Sequence, residues 1–345
     1  MADLLSVAKR AGVSRATAAR AFSSPDLVRP ATREKVFNAA QELAFRPNKV
    51  AQQLRSQATQ MIGVMVPSLD NPVFAEQLQA MEVAARDSGY SLIVTTSEYS
   101  PSREGNIVEE MLRQRVDGLV LTVADASNSD ILDKLRMESI PCLLVYNPPG
   151  TSGFASIGVD NLAAGADATR HLIALGHERI GMVAGPLLQS DRAQQRYEGY
   201  CQAMKSAGFL PHQLVEMARH TQADLASLKP ALQGFQSFSA VICTNDLLAI
   251  SLIGELQRAG FAVPGDLSVM GFDGIALGQY LYPSLCTIEQ PRADIGRAAV
   301  HALLAMIRGE SCTTAPLPHA LRKGESTGIP ASRKSNAGTT QRSTL

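Results

Sequence analysis

The chemistry legible in this sequence begins with charge. Residues 1–59 carry ten basic side chains (Lys9, Arg10, Arg15, Arg20, Arg29, Arg33, Lys35, Arg46, Lys49, Arg55) against four acids (Asp3, Asp26, Glu34, Glu42). That head is +6 in a chain of zero net charge, so the remainder is −6. A small basic head on an acidic body points to a segment that meets a polyanion, although charge alone also fits chance. Catalytic patterns are missing. No GxxxxGK[ST] phosphate loop, HExxH or GxSxG is present, and no GxGxxG follows the first strand-like run. His171 and His177 have no third ligand at metal spacing, and His177, in Gly176-His177-Glu178-Arg179, reads as a cap on the turn before a strand. Five scattered cysteines (Cys142, Cys201, Cys243, Cys286, Cys312) form no CxxC pair, which fits a reducing cytosol. The residues nominate no enzyme, no metal and no cofactor.

The elements that position the head's charges are short helices. Leu4, Val7, Ala8 and Ala11 follow helical spacing, and Gly12 supplies a left-handed stop. Ser14 is a good N-cap for a second helix over roughly 15–22, burying Ala18, Ala21 and Phe22. Pro30 suits the first turn of a third, burying Val36, Ala39, Ala40 and Leu43. Arg46-Pro47-Asn48 breaks the chain before a short basic helix over 48–56. Helix, tight turn, helix is the helix-turn-helix pattern, though a three-helix module with no nucleic-acid role would look similar.

From Met61 the rhythm becomes strand–helix alternation. Strands are expected at 61–66, 92–96, 118–123, 140–146, 180–184, 240–243 and 267–272. Helices are expected at 75–88, 103–114, 129–138, 161–175, 191–207 and 246–259. Continuous apolar strands alternating with amphipathic helices mean parallel sheets wound by helices. The length exceeds one typical sheet, so two α/β subdomains are expected. At 45% hydrophobic and 19% charged the 345-residue chain buries a sizeable core. It has neither a signal-peptide stretch nor a membrane-length apolar run, and a cytoplasmic location is expected. The small polar stretch 331–345 reads as a disordered tail.

The motifs carry a resemblance. Val7-Ala8-Lys9-Arg10-Ala11-Gly12-Val13-Ser14-Arg15-Ala16-Thr17 is similar to the head signature of the lactose-repressor (LacI/GalR) family. So is the continuation through Thr32-Arg33, Val36, Ala39-Ala40, Leu43, Phe45-Arg46-Pro47-Asn48, Ala51 and Leu54. Ile62-Gly63-Val64, Asn71-Pro72, Val159-Asp160-Asn161, Gly199-Tyr200, Thr244-Asn245-Asp246, Gly271-Phe272-Asp273 and Gln290-Pro291 follow in family order, and the resemblance covers about 3–330. It implies an α/β protein with a helix-turn-helix DNA-binding head (1–47), a hinge helix and linker (48–60), and a core of periplasmic-binding-protein type with parallel sheets. That core has an N-subdomain (61–160 plus about 291–318) and a C-subdomain (161–290 plus about 319–330).

By the resemblance, Arg15, Ala16 and Arg20 face base edges in the major groove. Arginine can pair with guanine O6 and N7, worth about 1–3 kcal/mol of discrimination, or grip phosphate only. Ser14 and Thr17 position the head on the backbone, and Asn48 opens the hinge. Leu54 resembles a lever that wedges into the minor groove, or packs two hinges together. Ala19, Ser23 and Gln52-Gln53 depart from common family residues and weaken the expected backbone grip.

Ligands of α/β sheets bind beyond the C-terminal ends of strands. Asn71, Phe74, Asp160, Arg196, Asn245 and Asp273 all sit there, with Arg196 matching the family's effector arginine. Asp160 and Asp246 also suit helix caps, and Phe74 also suits the core. Tyr146 and Asn147 lie where family members diverge and suit a role in specificity. The expected partners are double-stranded DNA with a pseudo-palindromic operator, a small polar effector such as a sugar or sugar acid, and a second copy of the chain in a homodimer or tetramer. A gluconate-type effector is suggested by Pro67 through Asn71, Phe74-Ala75, Cys243 through Asp246 and Gly278-Gln279. The rival classes are a periplasmic-type binding protein without DNA and a sugar-processing enzyme on the same core. The basic head argues against the first, and the lack of a paired acid and base argues against the second.

Overall fold

A computed structural model describes residues 3–45, 58–150, 153–232, 237–312 and 314–331. The chain divides into two compact units, Met1–Thr59 and Gln60–Leu345. The expected hinge helix, with Asn48 and Leu54, and nearly all of the expected tail lie outside the described residues.

In the first unit, α1 (Leu4–Ala11), α2 (Arg15–Ser23) and α3 (Pro30–Glu42) enclose a core of Val7, Ala8, Ala18, Ala21, Val28, Val36, Ala39 and Ala40. Helix α1 is capped by Asp3 and stopped by Gly12 at φ +67°. Ser14 caps α2 by accepting from the Thr17 N–H at 3.1 Å. Phe22 is half-buried rather than buried, its ring tilted against those of Phe37 and Phe45 at 5.5 and 5.7 Å.

The second unit contains two sheets. Strands β1 (Met61–Val66), β2 (Ser91–Thr96), β3 (Gly118–Leu121), β4 (Cys142–Val145) and β5 (Ser156–Ile157) form a parallel sheet in the order β2-β1-β3-β4-β5. Helices α4 (Pro72–Asp87) and α11 (Arg292–Ile307) cover one face through Val73, Met81, Ala84, Ile295, Ala299 and Leu303. Helices α5 (Pro101–Arg113) and α6 (Asp130–Met137) cover the other through Val108, Met111, Leu132 and Leu135. Both faces of the strands are apolar because both are covered.

The second sheet has the order β11-β10-β9-β8-β6-β7. Its strands are β6 (Ile180–Ala184), β7 (Val215–Glu216), β8 (Ala240–Cys243), β9 (Ser268–Asp273), β10 (Cys286–Glu289) and β11 (Ala320–Arg322). All pairs are parallel except β10 with β11. Helices α7 (Asn161–Ala174) and α8 (Asp191–Ser206) cover one face, and α9 (Leu225–Leu232) and α10 (Asp246–Arg258) cover the other.

The chain passes between the lobes at three places: after Val159, at Gln290-Pro291, and after Leu317, which bridges Val159 in parallel. Strands β5, β7, β10 and β11 and helices α9 and α11 were not among the expected elements. Two expected strands end early. Strand β3 stops at Leu121 because the Val123 N–H donates instead to Asn147 Oδ1 at 3.0 Å. Strand β4 stops where Tyr146 takes φ +67°, which breaks the extended backbone. Among the described residues no helix is long and apolar enough to cross a membrane.

Candidate functional site

In the first unit, α2 buries Ala18 and Ala21 and turns Arg15, Ala16 and Arg20 to the outside, all exposed. Ser14 and Thr17 hydroxyls share a 2.9 Å hydrogen bond at the start of α2. An exposed Arg10–Glu42 pair at 2.7 Å ties α1 to α3. The helix therefore presents guanidiniums and one small residue on an open face, with its N-terminal N–H groups capped from below.

The second unit holds a cavity between the two lobes, lined by Asn71, Phe74, Tyr99 and Tyr146 from the first lobe and by Arg192, Arg196, His220, Asn245 and Asp273 from the second, among others. Each side chain is placed by a local device. Asn71 caps α4 by accepting from the Val73 N–H at 3.2 Å. Phe74 is buried in the core, meets Tyr146 edge-on at 6.0 Å and also lines the cavity. Gly165 and Gly199 let α7 and α8 touch backbone to backbone: a Cβ on Gly199 would lie 2.0 Å from Leu162 O and one on Gly165 2.3 Å from Arg196 O. That contact sets Arg196 beside Asn161.

Arg196 is held from several sides. Its Nε donates to Asn161 Oδ1 at 2.8 Å and a terminal nitrogen donates to Thr244 O. Asp273 lies 3.7 Å from it, and the Phe272 ring lies under the guanidinium at 3.6 Å. Burial lowers the Arg196 pKa to about 10, opposed by the Asp273 carboxylate. Asp273 in turn accepts from Gln290 Nε2 at 2.8 Å, and burial pushes its carboxyl above the usual range against the pull of Arg196. Tyr146 and Asp273 both hold positive φ, +67° and +119°, a conformation costing about 1–3 kcal/mol that clusters at functional sites.

Two expectations need correction. Asp160 is not brought to the cavity: it is exposed and caps α7 by accepting from the Ala163 N–H at 2.9 Å. Asp246 is not the cap of α10. Asn245 accepts from the Leu248 N–H and caps it, while its amide donates to His220 O. Asp246, one residue inside, is fully buried and accepts from the Ile275 N–H and Thr287 Oγ1. Burial, reinforced by the Asp273 charge, raises it to about 8. His177 is also more than a turn cap, since its ring bridges Ser239 Oγ and Gly328 O.

The structure adds cavity residues that sequence reasoning passed over. Tyr99 stacks on His220 across the lobes at 3.9 Å, and burial, helped by Arg192, lowers His220 to about 4. Ser190, Arg192 and Gln290 complete the wall. Most follow strand ends or open a helix, so applying the strand-end rule to every strand would have found them. Two polar atoms in this wall, Tyr146 Oη and Gln290 Oε1, are buried without a hydrogen-bond partner.

Comparison with known proteins places this arrangement. Residues 3–48 match the family described as bacterial regulatory proteins, lacI family. Residues 59–336 match periplasmic binding proteins and sugar binding domain of LacI family. The HTH-type transcriptional regulator GntR of Escherichia coli (strain K12) is 33% identical over 90% of this chain and 93% of its own length. The HTH-type transcriptional repressor CytR of the same strain is 31% identical over 90% and 91%. The crystal structure of the lac repressor dimer bound to operator and the anti-inducer ONPF superposes with a TM-score of 0.80 at 28% identity, covering 95% of this chain and 99% of that one. The chain belongs to the LacI family of DNA-binding transcriptional regulators.

Proposed function

We propose that this LacI-family chain represses a catabolic or transport operon and is released or retained on its operator by a small polar effector held between the lobes. The observation that carries the reading is the pair of unpartnered polar atoms, Tyr146 Oη and Gln290 Oε1, in a wall that also holds Arg196 and Asp273. An unpaired buried polar group costs about 1–3 kcal/mol. A hydroxyl-rich ligand satisfies such atoms, and Phe74, Tyr99 and Tyr146 offer it aromatic surface. Asn71, Phe74, Arg196, Asn245 and Asp273 are the effector residues in this reading. Asp160 remains a helix cap.

Charge favours an acidic polyol. The charged lining is Arg192, Arg196 and Asp273, two cations against one anion. This suits a gluconate-like sugar acid, as does the similarity to a regulator named GntR. DNA is met by Ser14, Arg15, Ala16, Thr17 and Arg20 on a head spanning 1–47, with Asn48 and Leu54 in a hinge over 48–60. A homodimer on a pseudo-palindromic operator follows from two-fold pairing of such heads, and the lac repressor relative is described as a dimer bound to operator. The proposed location is cytoplasmic.

The test is genome-wide footprinting of the purified chain on fragmented DNA from its own source, with and without gluconate. The expected result is a short palindrome beside catabolic or transport genes, with occupancy falling steeply as salt rises. No enrichment at low salt in either condition would overturn the DNA reading.

A further inference from the structure

The first turn of α8 reaches across the lobes. Asp191 opens that helix in the second lobe, yet its partners belong to the first. Its backbone N–H donates to Ala124 O at 2.8 Å. One carboxylate oxygen, Oδ2, accepts from the Ala126 N–H at 3.0 Å and from Asn147 Nδ2 at 2.8 Å. The next residue, Arg192, donates to Val123 O at 3.3 Å.

The socket that receives Asp191 is itself braced. Asn147 exchanges hydrogen bonds with both the N–H and the carbonyl of Val123, at 3.0 and 2.9 Å. The Ala124 N–H donates to the buried Glu104 of α5 at 2.8 Å. The turn over 123–126 is thus fixed from behind by its own lobe before the other lobe docks on it. Asp191 does not line the cavity, but Ser190 and Arg192 on either side of it do.

We infer that Asp191 is the latch that holds the lobes together over the cavity, and is thereby a positioning residue for effector binding. This rests on the effector reading of that cavity. The latch works as a hydrogen-bond acceptor and not as a charge. Only Oδ2 accepts hydrogen bonds from the other lobe; Oδ1 makes none among the described residues and lies 3.9 Å from the guanidinium of its own neighbour, Arg192, in the same lobe. The charged groups around Asp191 and Glu104 are Asp125 from the socket turn and Arg192 from α8. An asparagine carbonyl can accept both bonds that Oδ2 accepts, with its amide in the place of Oδ1.

Hydrogen exchange of the full chain separates acceptor from charge. In D191A the Ala126 amide loses its partner and exchanges about tenfold faster, while amides of β1 and β8 stay as in wild type. In D191N the Ala126 rate stays close to wild type. N147D, which sets a second carboxylate against Asp191 from the other lobe, speeds exchange like D191A without altering α8. Gluconate, titrated calorimetrically, binds D191A about tenfold more weakly than wild type and binds D191N unchanged. Unchanged Ala126 exchange in both D191A and N147D overturns the latch. So does D191N behaving like D191A, because the charge would then be what matters. If the exchange pattern holds while gluconate binds none of the proteins, the latch stands and the gluconate reading falls.

Discussion

Helix α2 of the head and the wall of the cavity use the same residue type in opposite ways. On α2, Arg15 and Arg20 stand exposed over a small core that never touches them. In the core unit, Arg196 is buried, with its Nε on Asn161 and one terminal nitrogen between Thr244 and Asp273. An exposed arginine contributes to what the surface recognises and little to whether the unit folds. A buried, paired arginine is bound up with both, because removing it strands its partners without water. Stability and recognition are therefore separable in the head and joined in the cavity.

The largest test of that contrast is R196A. It leaves Asp273 buried without its cation, and the core unit loses about 3–5 kcal/mol in denaturant titration. The effector-dependent change in operator affinity is lost with it. A core unit that unfolds at the wild-type midpoint would break the comparison.

Acidity gives the next largest effect, and it too belongs to the core. Glu104 is raised to about 7 by burial, and Asp246 to about 8 by burial and the Asp273 charge. Both folded-state pKa values lie above those of the unfolded chain, so the folded state binds the extra protons. From these two groups stability rises as pH falls from 8 to 6 by about 3–4 kcal/mol, and His220, whose folded pKa of about 4 lies below its unfolded value, offsets about 1 kcal/mol of it. Denaturant midpoints at the two pH values check it, and D246N should remove much of the slope.

In the head the effects move to binding. R15A weakens the preferred operator by about 1–3 kcal/mol and relaxes one base position if Arg15 reads guanine. The head's melting should not move. Weakening that is uniform across operator sequences would assign Arg15 to phosphate. The smallest effect is S14A, which removes the cap of α2 and costs the head about 1 kcal/mol. It is measured as a shift in head unfolding that leaves the core transition alone.

The two regions also differed in how far they could be read beforehand. The head was legible to single residues: Gly12, Ser14 and Pro30 each end, cap or start a helix where expected, because capping is a local matter. In the core, β1, β6 and β8 match their expected spans because long apolar runs between polar turns leave little choice. Strand β10, Cys-Thr-Ile-Glu, carries too little apolar pattern to stand out, and its place in the sheet comes from β9 beside it. Asn245 and Asp246 are both capping residue types in sequence, and only the fold decides which one caps and which is buried. Asp273 ends a strand and Arg196, singled out by the resemblance, lies in the second turn of α8; the structure brings both to the cavity wall. Tyr99 follows the expected strand β2, so its place near the cavity was readable, whereas His220 follows β7, which was not expected, and their stacking across the lobes has no local signal.

The three passages of chain between the lobes have a mechanical consequence. A single tether would let one lobe twist, slide and tilt against the other. Passages after Val159, at Gln290-Pro291 and after Leu317, two of them paired side by side, leave little except rotation about the line that joins them. Under the proposed function, an effector of any shape held between the lobes acts on them through that one rotation.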